Sequence, residues 1–302
     1  LKVLITGATG LVGSELVSSL RTAGIPVHYL TTRKGKVSQA PDYRGFYWDP
    51  SQDQIDPDCF AGVTHIVNLA GASIAKRWTP AYREEIQNSR TQSLQTLFRG
   101  LSSLEMHTVE YLVSASAIGV YPDSLTEYYT EAYPETASGF LGETVEKWEA
   151  AARQFDALGI RRGLLRIGLV LSVGGGALPE MIRPIRWGVG APLGSGHQWQ
   201  SWIHLHDLVR MIRFALEESL EGVFNAVAPN PVTNRKLTQE VAARLGKPLW
   251  MPRVPAWGLR LVLGDMASLL LASQRVSSEK VEMEGFTFEY ANIHQALEAL
   301  LP

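Results

Sequence analysis

Cysteine is nearly missing from this chain: Cys59 is the one thiol in 302 residues. A lone thiol closes no internal disulfide and leaves a cysteine-built zinc site short of ligands, which suits a reducing, cytoplasmic setting. Neither sign of charge dominates, with 28 Lys and Arg against 30 Asp and Glu. The chain therefore lacks the field that draws nucleic acid or an anionic membrane. Long apolar runs are missing too. The most apolar late stretch, Trp257 to Ala272, is interrupted by Arg260 and Asp265 and should not span a bilayer. No charged-then-apolar leader precedes the opening LKVLIT, so a secreted protein is not expected. What is present is 45% hydrophobic and 19% charged residues, a composition that excludes disorder and fibres and can bury a sizeable core. The length allows one large domain, or one large and one small.

The first strand-like run, Leu1 to Ile5, ends in Thr6-Gly7-Ala8-Thr9-Gly10-Leu11-Val12-Gly13. A helical pattern follows, with Leu16, Val17, Leu20 and Ala23 on one side and Gly24 as its stop, then a second strand from Pro26 to Thr31. Strand, glycine turn, helix and strand in this order give a glycine fingerprint its meaning. One glycine lets the chain turn, another admits a pyrophosphate to the backbone, and a third lets helix and strand pack closely. The helix N-terminus adds unpaired N–H groups and partial positive charge. Gly7, Gly10 and Gly13 carry the spacing, and Thr9, Leu11 and Val12 line the same turn.

A second absence bears on the cofactor. Between Glu15 and Asp42 there is no acidic residue, whereas a site for NAD places a carboxylate near the end of the second strand to hold the ribose 2′-OH. Thr32, Arg33 and Lys34 stand there instead. A guanidinium suits a 2′-phosphate, so the expected cofactor is NADP(H). A further buried strand, Thr64 to Leu69, ends in Asn68-Leu69-Ala70-Gly71, small enough to let a ribose or flat ring lie against the backbone.

TGATGLVG, then NLAG, then VSASAIGVY resemble the extended branch of the short-chain dehydrogenase/reductases, which includes nucleotide-sugar epimerases, dehydratases and reductases. RWTPAYREEIQNSR, PLGSGHQWQSWIHLHDL, NAVAPNPVTN and LGDMASLLLASQRV narrow the likeness to an atypical, epimerase-like group with a small C-terminal domain and no assigned substrate. The resemblance implies a Rossmann-like, doubly wound parallel sheet with a smaller, mostly helical substrate-side unit. The dinucleotide-binding part would span residues 1–172, with part of 203–230 returning to it. Residues 173–202 and 231–302 would form the smaller part.

The same resemblance places Ser116, with Ser114 as neighbour, at the serine position of the active site, and Ile167 beside the nicotinamide. It places Lys76, Arg77 and Arg90 near the pyrophosphate and nicotinamide ribose. Arg90 either neutralises phosphate or pairs with Glu84 or Glu85 on its own helix. Extended members also carry a Tyr-x-x-x-Lys pair on one helix face, the tyrosine passing a proton while hydride moves at the nicotinamide. Here the tyrosine place holds Phe140 or Leu141 and the lysine place Thr144 or Val145, and no tyrosine of the chain has a lysine four residues later. Phe and Leu transfer no proton. Tyr121 is the candidate substitute, while Glu143 and Lys147 read as a surface helix contact. Tyr128, Tyr129 and Tyr133 read as packing or surface residues of a polar loop.

Farther on, Arg162 to Leu171 reads as a sixth strand, Gly174-Gly175-Gly176 as a hinge or lid, and Arg183, Arg186 and Trp187 as one helix. His197, Trp199 and Trp202 are the candidates for substrate contact. His204, His206 and Asp207 do not complete a metal shell; Asp207 reads as the N-cap of a helix to Leu216. Thr233 to Leu245 is an amphipathic helix, Trp257 to Leu271 an apolar helix packed on the main domain or on a second subunit of a homodimer, and Glu284 to Leu301 a short strand and a helix. The functional expectation is an NADP(H)-dependent epimerase, dehydratase or reductase acting on a small polar substrate, a nucleotide sugar among the candidates. The alternative is an NADP(H)-binding sensor or scaffold without catalysis.

Overall fold

The computed structural model describes residues 1–301. Its strands are β1 (Val3–Thr6), β2 (Val27–Thr31), β3 (Tyr43–Asp49), β4 (His65–Asn68), β5 (Tyr111–Ala117), β6 (Arg161–Ile167), β7 (Leu169–Leu171), β8 (Trp202–His204) and β9 (Gly222–Ala226). The main sheet runs β9-β6-β5-β4-β1-β2-β3, parallel throughout. Short antiparallel strands, Gln39–Ala40 and Gln54–Ile55, add to β3. The order reverses between β1 and β4, which opens a crevice at their carboxyl ends.

Every residue of β1 and β4 is buried, because helices cover both faces; that is why these strands read as continuous apolar runs without alternation. The helices of the first 244 residues are α1 (Leu11–Thr22), α2 (Pro80–Ser102), α3 (Phe140–Arg153), α4 (Ala177–Arg186), α5 (Leu205–Glu218) and α6 (Asn234–Arg244). Leu16, Val17 and Leu20 of α1 join Leu208, Met211 and Ile212 of α5 in one core. Leu94, Leu97 and Leu101 of α2 join Trp148, Ala151 and Ala152 of α3 in another. The result is a helix–sheet–helix sandwich. A separate smaller core gathers Leu178, Ile182 and Ile185 of α4, Leu237 and Val241 of α6, and Ile293, Ala296 and Leu297 near the C-terminus.

Local sequence explains the ends of these helices. Gly24, at φ +72°, ends α1 as a left-handed stop. Thr79 caps α2 by accepting from the Tyr82 N–H, with Pro80 at the first helical position. Thr233 does the same for α6.

The sequence expectation differs from the fold in four places. The sixth strand is two strands: β6 stays in the main sheet, whereas β7 pairs with β8. The break falls at Gly168, where a Cβ would stand 2.4 Å from the Ser201 carbonyl oxygen. The cap of α5 is His204, whose Nδ1 accepts from the His206 N–H. Asp207 lies fully buried and accepts from the Glu289 and Tyr290 N–H groups and from Arg210, so it ties down the distant C-terminal segment. The late apolar helix is split into α7 (Ala256–Leu263) and α8 (Ala267–Leu271) around Gly264 at φ +61°; α7 buries none of its residues and exposes Trp257, Leu261 and Val262. Finally, among the described residues no strand forms after Glu284; the segment holds the helix α10 (Ile293–Leu300), preceded by α9 (Glu279–Met283).

Candidate functional site

The glycine turn sits at the carboxyl end of β1, in the crevice. Gly7 has φ +70°, and a Cβ there would lie 2.7 Å from the Leu69 carbonyl oxygen. A Cβ on Gly13 would lie 2.2 Å from the Gly7 carbonyl oxygen. These are the turn and the close helix–strand approach that the spacing implies. Gly10 caps α1 without any side-chain bond, so the first-turn amides after it remain available to an anion. Gly174 and Gly175 pass over Leu11, whose Cδ1 is 3.8 and 3.5 Å from where their Cβ atoms would be. That loop therefore roofs the cradle.

At the tip of β2 the Arg33 N–H donates to Thr31 Oγ1 at 3.2 Å. The Arg33 side chain is exposed and has no ion-pair partner among the described residues. Lys34 holds its ammonium 4.9 Å from the Tyr47 ring centre, and Tyr47 is a residue of this rim that the sequence alone did not single out.

Across the crevice, Asn68 is buried and spent on the frame: its Oδ1 accepts from Thr6 Oγ1 at 2.7 Å and its Nδ2 donates to Ser114 Oγ at 3.3 Å. The Leu69 and Ala70 N–H groups both donate to Thr6 Oγ1. Asn68 and Ser114 thus shape the strand ends and offer no free side chain to a ligand. Arg90 pairs with neither Glu84 nor Glu85. It donates to the Ile86 and Ala72 carbonyls at 2.8 and 3.2 Å, lies over the Trp148 ring, and stands 3.2 Å from where a Gly71 Cβ would be. Burial pushes its pKa down to about 10, because no carboxylate compensates the charge.

The serine position leads into a buried ionic network. Ser116 Oγ donates to Glu149 Oε1 at 2.7 Å. Arg166 Nε and Nη2 bracket the same carboxylate at 2.8 and 3.1 Å, and Arg153 adds a bond at 3.0 Å. Arg166 Nη1 donates to the Tyr121 hydroxyl at 3.0 Å, which in turn donates to Asn225 Oδ1 at 2.7 Å. Burial would push the Glu149 pKa up, but the Arg166 and Ser116 bonds outweigh it and hold the carboxyl below its ordinary range. Burial pushes the Tyr121 phenol up despite Arg166. Glu149, Arg166 and Asn225 were not singled out from sequence, although two of them carry a signal. Glu149 falls on the buried stripe Val145, Trp148, Ala152 of α3, and Arg166 interrupts the apolar run Gly163-Leu164-Leu165 of β6. A charge in such a place needs an opposite partner.

Beside this network opens a cleft of about 760 Å³. Its walls include Trp78, Phe140, Leu141 and Tyr121 from the sheet domain and Arg260, Asp265 and Leu271 from the C-terminal segment. Phe140 and Leu141 both face the cleft, so whichever of them holds the tyrosine place, that wall is apolar. Phe140 packs edge-on against Trp78 with ring centres 5.3 Å apart, and the Arg83 guanidinium lies 5.4 Å above it. Thr144 bonds the Phe140 carbonyl and Val145 is buried. Lys147 bonds Gln87 of α2 at 3.1 Å and forms no pair with Glu143.

The three substrate candidates from sequence lie elsewhere. Trp202 is fully buried in the smaller core, its Nε1 donating to the Asn230 carbonyl. Trp199 donates to the Leu125 carbonyl and lies under Arg275. His197 is exposed in the turn after Gly196. None of them lines the cleft; dense aromatics there serve packing between the two parts. His204 stacks on Tyr290 at 4.0 Å and His206 pairs with Glu289 at 3.1 Å, while Asp207 points inward. Tyr129 packs, one of the two roles expected of it: it is buried and stacked on Tyr121 at 5.0 Å, in a two-residue strand paired with Arg275–Val276 where a loop was expected.

The model of the NAD-dependent epimerase/dehydratase family matches residues 3–226, which include the cradle, the strand tips and the buried network. The chain belongs to that family. Residues 254–300 of this family member match a domain of unknown function, DUF1731. An epimerase family protein of Staphylococcus haemolyticus is 41% identical over 303 residues, covering 99% of this chain and 98% of the relative. The crystal structure of the human epimerase family protein SDR39U1 (isoform 2) with NADPH superposes with a TM-score of 0.86 at 30% identity, over 100% of this chain and 99% of that one. A nucleoside-diphosphate sugar epimerase from Corynebacterium glutamicum gives 0.80 at 31% identity, over 100% of this epimerase-family chain but 58% of that one.

Proposed function

We propose that this protein binds NADP(H) across the β1–β4 crevice and carries out oxidoreduction of a small alcohol or carbonyl compound held in the adjoining cleft. The observation that carries the reading is the tip of β2: an exposed, unpaired Arg33 where a site for NAD needs a carboxylate. The NADPH in the human relative's crystal structure supports it. So does Arg90, a half-buried cation without a carboxylate partner that sits against Gly71 at the edge of the crevice. The cofactor would rest its pyrophosphate on Gly10–Gly13, its adenosine phosphate on Arg33 and its nicotinamide end toward Ile167 and the cleft. When bound it supplies or accepts a hydride.

The chain's own part is to orient and to exclude water. Ser116 and Tyr121 have committed their protons to Glu149 and Asn225. They act as positioning residues, Tyr121 on the wall of the cleft, and the proton for the substrate oxygen enters from solvent at the open side. A second reading, a cofactor-holding protein without turnover, draws on that same commitment together with the apolar Phe140 and Leu141 wall. The deciding experiment loads the protein with NADPH and follows nicotinamide absorbance against a panel of carbonyl compounds and nucleotide sugars. Turnover lost on blocking the cleft with Ser268→Trp supports the enzyme. Tight NADPH binding with no turnover across the panel favours the second reading, and failure to bind NADPH overturns both.

A further inference from the structure

The charges around the cleft are lopsided. The whole chain carries a formal charge of -2, yet Arg77, Arg83 and Arg260 gather at or beside this opening and Asp123 and Asp265 are the carboxylates that line it. Both carboxylates are already engaged. Asp265 is ion-paired to Arg83, and Asp123 accepts from the Ser273 N–H at 2.8 Å. Arg260 has no ion-pair partner among the described residues. Arg83 keeps Nε buried and without a hydrogen-bond partner, and Arg77 brings its Nε beside Gly264 at the rim.

The wall behind these cations is the opposite in character. Phe140, Leu141, Ala137, Leu271 and Ala272 are apolar, and no uncommitted carboxylate stands among the lining residues to hold the hydroxyls of a sugar. Resting on the function proposed above, we infer that the cleft takes a small anion with an apolar, planar body. A carboxylate or phosphate monoester group would be held by Arg260, Arg83 being already paired with Asp265, and the carbon skeleton would lie on Phe140 and Leu141. A guanidinium fork matches either oxyanion. Arg260 is exposed, so water screens its pull, and it favours an anion over a neutral isostere by a modest margin. A nucleoside diphosphate sugar fits less well, because it brings its apolar-poor end to the apolar wall.

The test uses the full chain saturated with NADPH, cofactor binding having first been measured by itself. Four probes are titrated by calorimetry: 4-phenylbutyrate, phenyl phosphate, the neutral 4-phenylbutyramide, and UDP-glucose. The two aromatic anions are expected to bind, with the amide weaker by about 2- to 5-fold, as loss of a bond to an exposed guanidinium implies. The preferred oxyanion identifies the source of the charge. Arg260→Ala should erase the difference between anion and amide, Arg260→Lys should restore part of it, and NADPH affinity should stay unchanged in both. Because Arg260 lies on the exposed α7, these variants keep the fold. Equal binding of amide and anions, anion affinity indifferent to Arg260→Ala, no binding by any probe, or UDP-glucose binding more tightly than both aromatic anions would each overturn the inference. If NADPH itself fails to bind, the function above falls, and the same titrations without cofactor still decide the anion site.

Discussion

The Ser116 hydroxyl donates to Glu149 Oε1 across 2.7 Å, both side chains being almost fully buried. A carboxylate accepts only, so the proton on Ser116 is fixed in direction, and what the serine turns toward any neighbour is a lone pair. In this arrangement the serine has no further proton to donate. The bond also links β5 to the ion pair of α3 with β6.

The first prediction concerns that ion pair. Glu149→Gln leaves the Arg166 guanidinium buried without its counter-charge and should destabilise the protein by about 3–5 kcal/mol in urea unfolding. The double variant Glu149→Leu, Arg166→Met removes both charges and should recover most of the loss. A double variant as unstable as the single one would show that packing, not charge pairing, sets the cost.

The network also sets a pH dependence. The Glu149 pKa in the folded protein lies below its unfolded value, so its contribution is fully present above the unfolded pKa of about 4.3 and is lost as pH falls through the folded one. Burial also pushes His28, His65 and His204 down, which adds a decline starting near about pH 6.5. Unfolding free energy measured from neutral pH downward should therefore fall in two stages. In Glu149→Gln the lower stage, below about pH 5, should flatten while the upper stage remains.

Arg33→Ala should weaken NADPH by about 1–3 kcal/mol, the usual cost of a lost charge-assisted bond, and leave NADH nearly unchanged. Calorimetry with both cofactors reads this directly. Equal losses for the two would remove Arg33 from the 2′-phosphate.

Gly13→Val places side-chain carbon where the Gly7 carbonyl oxygen already stands 2.2 Å from a bare Cβ. The neighbour is backbone and cannot swing away, so the cost should reach about 1–3 kcal/mol or more. It should appear as a lowered melting temperature together with lost cofactor binding. Full NADPH affinity in a stable variant would mean that the cradle tolerates what its geometry forbids.

Tyr121→Phe strands two buried partners, Arg166 Nη1 and Asn225 Oδ1. A loss of about 1–3 kcal/mol in stability with unchanged NADPH affinity is expected. A stable variant with abolished turnover would instead make Tyr121 the proton donor.

Sequence by itself determined the elements with local causes. Gly7, Gly10 and Gly13 after an apolar strand, Thr233 ahead of α6, Gly24 after α1 and the missing carboxylate beyond β2 each act within a few residues, and steric and hydrogen-bonding rules at that range depend little on the rest of the chain. Tertiary structure decided everything that joins distant segments. Trp202 reads as a rim aromatic until the smaller core closes over it. Asp207 reads as a cap until Glu289 and Tyr290 arrive from 82 and 83 residues away. Gly168 looks harmless within a strand until Ser201 presses on it from β8's side. The cleft exists only because Arg260 and Asp265 are brought opposite Arg83 and Phe140. Such pairings are set by burial and charge compensation across the fold, and no short-range pattern encodes which partner comes.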